Sequence, residues 1–319
     1  MTDRVVVLDD FIPAEALSDS LAAAGISAEV IHQSEFPSGP GVVALLVGPE
    51  NTGLEPRHLS ELPDLRLLSA TSAGYDHLPV SAAHERGVWV TRAVDYCTEE
   101  VADHAFALAV GLIRSTHTLD GSVRAGGWDV TAAPPRRIAG TVLGLYGFGR
   151  IAGALAVRAR AVGVTVLVSG RGLSDRAAEL AADGVEVVGF DELLRRSDVL
   201  SLHVPLTSET RGLIDARALA TMRPGGYLVN VSRGGLVDHD ALGAALRSGH
   251  LAGAAVDVLP NEPPAQDDPI LQIPNLVITP HAAWYSSQVA HTLAEQSARN
   301  VAAVLTGGSP VGVVAPPGM

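Results

Sequence analysis

Gly147, Gly149 and Ala152 stand in the stretch Val142-Leu-Gly-Leu-Tyr-Gly-Phe-Gly-Arg-Ile-Ala-Gly153, where an apolar strand pattern runs through a GxGxxA turn into an alanine-rich helix pattern. That order of elements is a dinucleotide-binding fingerprint. Gly147 permits the tight turn, Gly149 keeps side-chain atoms off an approaching pyrophosphate, and Ala152 lets helix and strand pack closely. The helix that follows offers unbonded N–H groups and the positive end of its dipole to an anion. The same small residues also open helices that merely pack tightly, so the motif alone leaves both readings open.

The surrounding elements must supply the sheet that aims this turn. Short apolar runs at 5–8, 26–30, 42–47, 65–70 and 88–90 alternate with helical patterns, a βαβ rhythm that implies a mostly parallel sheet. A single long helix is expected from Glu99 to about Thr118, apolar on more than one face and therefore buried between domains or subunits. A turn-rich connection through Trp128 and Pro134 follows. A second βαβ series then begins, with strands expected at 142–146, 164–169, 185–188, 199–204, 227–231, 252–258 and 276–279, enough for a complete doubly wound domain. The last helix, near 286–305, is read as crossing back to the first domain ahead of a Pro- and Gly-rich tail.

Composition limits the class of function. The chain has 319 residues, 47% hydrophobic and 18% charged, which suits two globular domains of α/β class. A formal net charge of −13 and no run of Lys and Arg argue against a nucleic-acid partner. The single cysteine, Cys97, excludes an intrachain disulfide framework and a cysteine-rich metal site, and a cytoplasmic location follows most simply. No apolar stretch is long enough for a membrane span, and no metal is expected.

Three more segments carry residues with chemistry: Val229-Asn-Val-Ser-Arg-Gly-Gly-Leu-Val-Asp238, Ala255-Val-Asp-Val-Leu-Pro-Asn-Glu-Pro263 and Thr279-Pro-His-Ala-Ala-Trp284. In order and spacing they resemble the arginine, glutamate and histidine segments of the D-2-hydroxyacid dehydrogenase family, and the resemblance runs over nearly the whole chain. His281 to Ser286 is most similar to the C-terminal-binding-protein branch, with glycerate and hydroxypyruvate reductases near it. The resemblance implies a Rossmann coenzyme domain, residues 98–284, inserted into a flavodoxin-like substrate domain made of residues 1–97 and 285–319. It also implies hydride transfer between a nicotinamide cofactor and a small 2-keto or 2-hydroxy acid.

The family pattern assigns roles residue by residue. Reduction of a 2-keto acid needs an acid poised near neutral pH, and His281 at a strand end fits. Glu262 would bond the far ring nitrogen and fix its tautomer, and Arg233 would hold the substrate carboxylate and polarise the ketone. Ser72, Ala73 and Gly74 are similar to the family loop whose N–H groups bind the substrate carboxylate, and Trp284 would wall the pocket. The cofactor would lie against Phe148, Arg150, Ile151, Val204, Pro205, Thr210, Val231, Ser232 and His281, with Asp257 on the nicotinamide carboxamide. Each role has a plainer rival: Asp257 as a buried turn residue, Trp284 as a packing residue, Glu262 as a solvated loop carboxylate. His104 and His203 read as ordinary surface or core histidines.

Two departures stand out. Where many members of the family carry an acidic residue that selects NAD, this chain reads Ser169-Gly170-Arg171, which favours NADP(H) while leaving NAD(H) possible. Arg92 replaces the asparagine usual at its position and could add a positive charge near the substrate, or lie on the surface. The expected partner is therefore a small-molecule 2-keto or 2-hydroxy acid, and the similarity of the 99–118 helix to the family's dimer helix implies a homodimer. The alternative function is a dinucleotide-sensing interaction protein of the C-terminal-binding-protein type.

Overall fold

The computed structural model describes residues 2–317. The chain divides into two compact units, one of Met1–Cys97 with Tyr285–Met319 and one of Thr98–Trp284.

The first unit is built on strands β1 (Asp3–Leu8), β2 (Ala28–His32), β3 (Val42–Val47), β4 (Leu67–Ala70) and β5 (Trp89–Arg92), joined by the last strand of the chain, β13 (Val313–Ala315). Their order is β2-β1-β3-β4-β5-β13, parallel except for β13, and the first five follow the flavodoxin-like doubly wound order. β3 sits centrally, and all six of its residues are buried, which is why Val42–Val47 is a continuous apolar run instead of an alternation. The helix Ser287–Leu305 belongs to this unit. Its buried amides explain how it is held: Gln296 accepts from Val94 N at 2.9 Å and donates to Val94 O at 2.8 Å, and Asn300 makes the equivalent pair with Val311.

In the second unit, β6 (Val142–Tyr146), β7 (Thr165–Ser169), β8 (Val185–Val187), β9 (Val199–Leu202), β10 (Gly226–Asn230), β11 (Leu251–Val256) and β12 (Leu276–Ile278) form one parallel sheet. Its order, β8-β7-β6-β9-β10-β11-β12, is that of a Rossmann domain extended by one strand. Alternate residues feed two separate cores. Leu145, Val166, Val168, Val229 and Ala255 face one, and Leu167, Leu200, Leu202, Leu228 and Val256 face the other.

Several elements differ from expectation. The long helix ends at Ile113: Ser115 takes a left-handed conformation (φ 53°), and a second helix runs from Thr116 to Arg124. The apolar character of Thr98–Ile113 needs no second subunit, because Ala102, Ala105, Leu108, Ala109, Leu112 and Ile113 join the core of their own unit with Leu143 and Leu155. β2 starts two residues later than the apolar run at Ile26. The tail supplies β13, which pairs antiparallel with the otherwise open edge of β5.

His203, just past β9, is structural. Its Nε2 lies 2.9 Å from Ser201 Oγ, and although part of the residue stays accessible, enclosure of the ring pushes it down to about 4. The folded protein therefore binds this proton less readily than the unfolded chain, whose histidine titrates near 6.5. The associated stability is present above pH ~6.5 and lost progressively as pH falls toward ~4, on the order of 3 kcal/mol in full. Denaturant titrations should show a shallower decline across this window in His203→Gln than in the unaltered protein; parallel slopes would mean that the ring is hydrated.

Candidate active site

The residues singled out in the second unit gather at the carboxyl end of its sheet, on the loops that leave consecutive strands. β6 leads into Gly147, whose φ is 92° and whose N–H donates to Ser169 O at 2.8 Å. A Cβ there would lie 2.5 Å from His203 O and 2.7 Å from Val204 Cγ1, so the turn closes only with glycine. Gly149 is different. A Cβ there would meet nothing within 4 Å, so the protein itself does not require glycine; the position leaves open space at the start of the helix Arg150–Ala161. No side chain caps that helix and no acidic residue stands in its first turn. The positive end of this helix therefore faces no capping side chain, and a dinucleotide pyrophosphate fits the turn. Ala152 is fully buried, while Phe148 and Ile151 pack partly buried against the core.

β7 ends at Ser169, which is buried; a Cβ on Gly170 would come 3.3 Å from Leu173 and 3.5 Å from Gly147 Cα, and Arg171 is exposed. After β9, Thr210 Oγ1 donates to Pro205 O at 2.7 Å and accepts from Thr207 N at 2.8 Å, which sets the shape of that loop. After β10, buried Asn230 holds the next turn: its Nδ2 donates to Arg233 O at 2.9 Å and its Oδ1 accepts from Ser232 N at 3.1 Å. Ser232 Oγ donates to Leu202 O, Val231 packs partly buried against the core, and the Arg233 guanidinium donates to Ser232 O at 2.8 Å. A Cβ on Gly234 would fall 2.1 Å from the Leu259 carbonyl carbon. That close backbone approach brings the arginine loop against the loop carrying Glu262.

Glu262 and His281 meet directly. Oε2 of Glu262 lies 2.6 Å from His281 Nδ1, and Oε1 accepts from Leu259 N at 2.7 Å. The carboxylate is thereby oriented at both oxygens, and the imidazole is left with Nε2 as its other polar atom. His281 has φ 53°, which a non-glycine residue holds only at a cost of about 1–3 kcal/mol unless the surroundings enforce it. Asp257 enforces it. The main-chain oxygen of Asp257 accepts from His281 N at 2.8 Å, and its carboxylate, 1% exposed, accepts from Ala282 N and Ala283 N at 2.9 Å each and from the Thr279 hydroxyl. The plainer reading of Asp257 thus describes its contacts: it shapes the histidine turn. His104 also takes part, with Nε2 3.0 Å from Thr279 Oγ1 and 3.6 Å from Asp257 Oδ1.

In the first unit, Ser72 Oγ donates to Gly74 O at 2.7 Å, and Ala93 N donates to Ser72 O. Arg92 Nη1 donates to Ala73 O at 3.2 Å, which puts this guanidinium on the same loop. Trp284 is partly buried, and its neighbour Tyr285 sets its ring edge-on to Phe11 at 5.8 Å. Sequence reasoning misses Asn230 and Thr279, although a polar residue closing an apolar strand, as Asn230 does, is a usable signal. His104, read as an ordinary surface or core histidine, is half-buried and places its ring nitrogen on Thr279.

Two doubly wound units, one with a phosphate-ready glycine turn and an ordered Arg, Glu and His set at its strand ends, define a dinucleotide-dependent oxidoreductase. The family model described as D-isomer specific 2-hydroxyacid dehydrogenase, NAD binding domain, matches residues 106–283. Glyoxylate reductase of Korarchaeum cryptofilum is 38% identical over 278 residues, 86% of this chain and 82% of that protein. D-3-phosphoglycerate dehydrogenase of Mycobacterium leprae is 37% identical over 269 residues, 84% of this chain but 50% of that longer protein. A crystal structure of a protein from Thermus thermophilus superposes with TM-score 0.85 at 34% identity, covering 98% of this chain and 99% of the other. The chain belongs to the D-isomer specific 2-hydroxyacid dehydrogenase family.

The two glycines of the turn separate folding from binding. Gly147→Ala, forced into a positive φ and a backbone clash, should lose roughly 2–4 kcal/mol in chemical denaturation. Gly149→Ala should keep nearly full stability yet weaken dinucleotide binding by roughly tenfold or more, read by calorimetric titration. Equal stability losses in both variants would mean that Gly149 serves packing instead of a ligand.

Proposed function

We propose that the chain is an NADP(H)-preferring reductase of a small 2-keto acid, with NAD(H) as a weaker cofactor. The observation that carries this reading is the 2.6 Å contact of His281 Nδ1 with a Glu262 carboxylate that Leu259 N also fixes, on loops packed beside Arg233 through Gly234. When bound, the reduced nicotinamide supplies the hydride to the carbonyl carbon.

The protein's own residues handle the carboxylate and the proton. His281 Nε2 gives its proton to the carbonyl oxygen, while Glu262 holds the ring's orientation through Nδ1. Arg233 presents a planar fork of donors to the carboxylate and to the oxygen that gains charge. Ser72, Ala73 and Gly74 supply main-chain N–H groups to the carboxylate, Arg92 braces that loop and adds positive charge, and Trp284 bounds the space for the substrate side chain. The nicotinamide carboxamide contact is assigned to Asp257 together with its role in the histidine turn. Ser169, Gly170 and Arg171 select the 2′-phosphate, and Val204, Pro205, Thr210, Val231 and Ser232 flank the rest of the dinucleotide. A homodimer is proposed on Trp128 and Val130, which are 91% and 85% exposed, an apolar surface that a partner copy would cover.

Turnover of glyoxylate, hydroxypyruvate, pyruvate and phenylpyruvate with NADPH and NADH tests the reading; no oxidation of either cofactor with any of them would reject it. His281→Gln should lower kcat by about a hundredfold or more with little change in cofactor Kd. Unimpaired turnover in that variant would remove His281 from proton transfer. Arg233→Ala should raise KM and lower kcat together, by roughly a hundredfold or more in kcat/KM, because one side chain serves both the ground-state carboxylate and the developing charge. A fall in thermal stability with kinetics intact would make this arginine structural.

A further inference from the structure

The arginine that would select the 2′-phosphate already has a partner. Arg171 Nη1 lies 3.3 Å from Glu209 Oε2, with the two side chains 90% and 75% exposed. In the sheet β6 runs between β7 and β9. Arg171 follows β7 and Glu209 lies on the loop after β9, so the pair joins the loops on either side of the β6 exit, where Gly147 and Gly149 form the phosphate turn.

Both charges stand on ordered backbone. Behind Arg171, Leu173 is buried and its N–H closes a turn on Gly170 O. Around Glu209, Thr207 N donates to Thr210 Oγ1, Thr210 Oγ1 donates to Pro205 O, and Glu209 N donates to Thr207 Oγ1 at 3.3 Å. An ion pair this exposed adds little to folding, which leaves its charges to act on a ligand. The next cation along the chain, Arg176, is held by Glu179 at 2.7 Å.

We propose that Glu209 is a specificity-determining residue: its carboxylate competes with the dinucleotide 2′-phosphate for Arg171 and so limits the preference for the phosphorylated cofactor. The proposal rests on the assignment of Arg171 to the 2′-phosphate. A phosphate brought to this guanidinium meets the like charge of Glu209 and must displace it. A ribose 2′-hydroxyl carries no charge and meets no such opposition. The selectivity of the chain is then the outcome of an attraction and a repulsion set on two different loops.

ADP-ribose and 2′-phospho-ADP-ribose, titrated calorimetrically into the full-length protein, read the effect without turnover. Glu209→Gln should tighten 2′-phospho-ADP-ribose by roughly three- to tenfold at low salt, change ADP-ribose by less than about twofold, and lose most of the gain at about 0.5 M salt. Arg171→Ala should weaken the phosphorylated probe by roughly tenfold. If Arg171→Ala weakens that probe and Glu209→Gln leaves it unchanged, or tightens both probes equally, the role of Glu209 is overturned while the cofactor assignment stands. If Arg171→Ala has no effect on the phosphorylated probe, both fall together.

Discussion

A carboxylate with 1% exposure is a liability unless its oxygens are satisfied, and the way Asp257 is satisfied determines the geometry of the histidine turn. Its donors are the N–H groups of Ala282 and Ala283 and the hydroxyl of Thr279, all within four residues of His281. The chain can supply them only by reversing direction at His281, and the left-handed conformation at that residue is the result. The desolvation cost of the acid and the strain at the histidine are thus offset by the same set of bonds. Removing the carboxylate would release both at once, which makes Asp257 a positioning residue whatever it also does toward a cofactor.

A second constraint is the approach of backbone to backbone at the strand ends. Gly147 lies against His203 and Gly234 against Leu259, each closer than any side chain would allow. The first contact seats the phosphate turn beside the β9 exit, and the second seats the Arg233 loop beside the Glu262 loop. Loops that leave neighbouring parallel strands normally diverge as helices cover the two faces of the sheet. Here, two side-chain-free positions hold them together at the carboxyl edge, where doubly wound sheets place their ligands.

Much of this was legible from local pattern. The continuous apolar run Val42–Val47 marked a strand, the switch from strand period to helix period marked the fingerprint turn, and the ordered Arg233, Glu262 and His281 segments marked the family. What was not legible depends on partners distant in sequence. The break at Ser115 lies in the polar run Ser115-Thr-His-Thr, where a helical pattern continues on paper and the competing left-handed turn leaves no mark. β13 is a strand because the edge of β5 lacks a partner, a property of the sheet and not of three residues near the tail. The role of Asp257 rests on donors 25 and 26 residues downstream, and that of His104 on Thr279, 175 residues away. A lone histidine on an apolar helix carries no sign of such a partner.

Charge raises a question that the fold answers locally. A protein of formal net charge −13 repels, at long range, both a dinucleotide and a carboxylate substrate. Screening shortens that repulsion to a Debye length of about 8 Å in physiological salt, so what matters is the charge within that reach of each anion. At the phosphate turn the uncapped helix N-terminus contributes partial positive charge that no carboxylate in its first turn cancels. At the β10 exit Arg233 is tethered through its own loop, and at the β5 exit Arg92 is tethered to Ala73 O. In the proposed function, anion binding falls to a few fixed donors instead of a basic surface. Such donors recognise anions by geometry, and that favours small ligands with defined carboxylates and phosphates over extended polyanions.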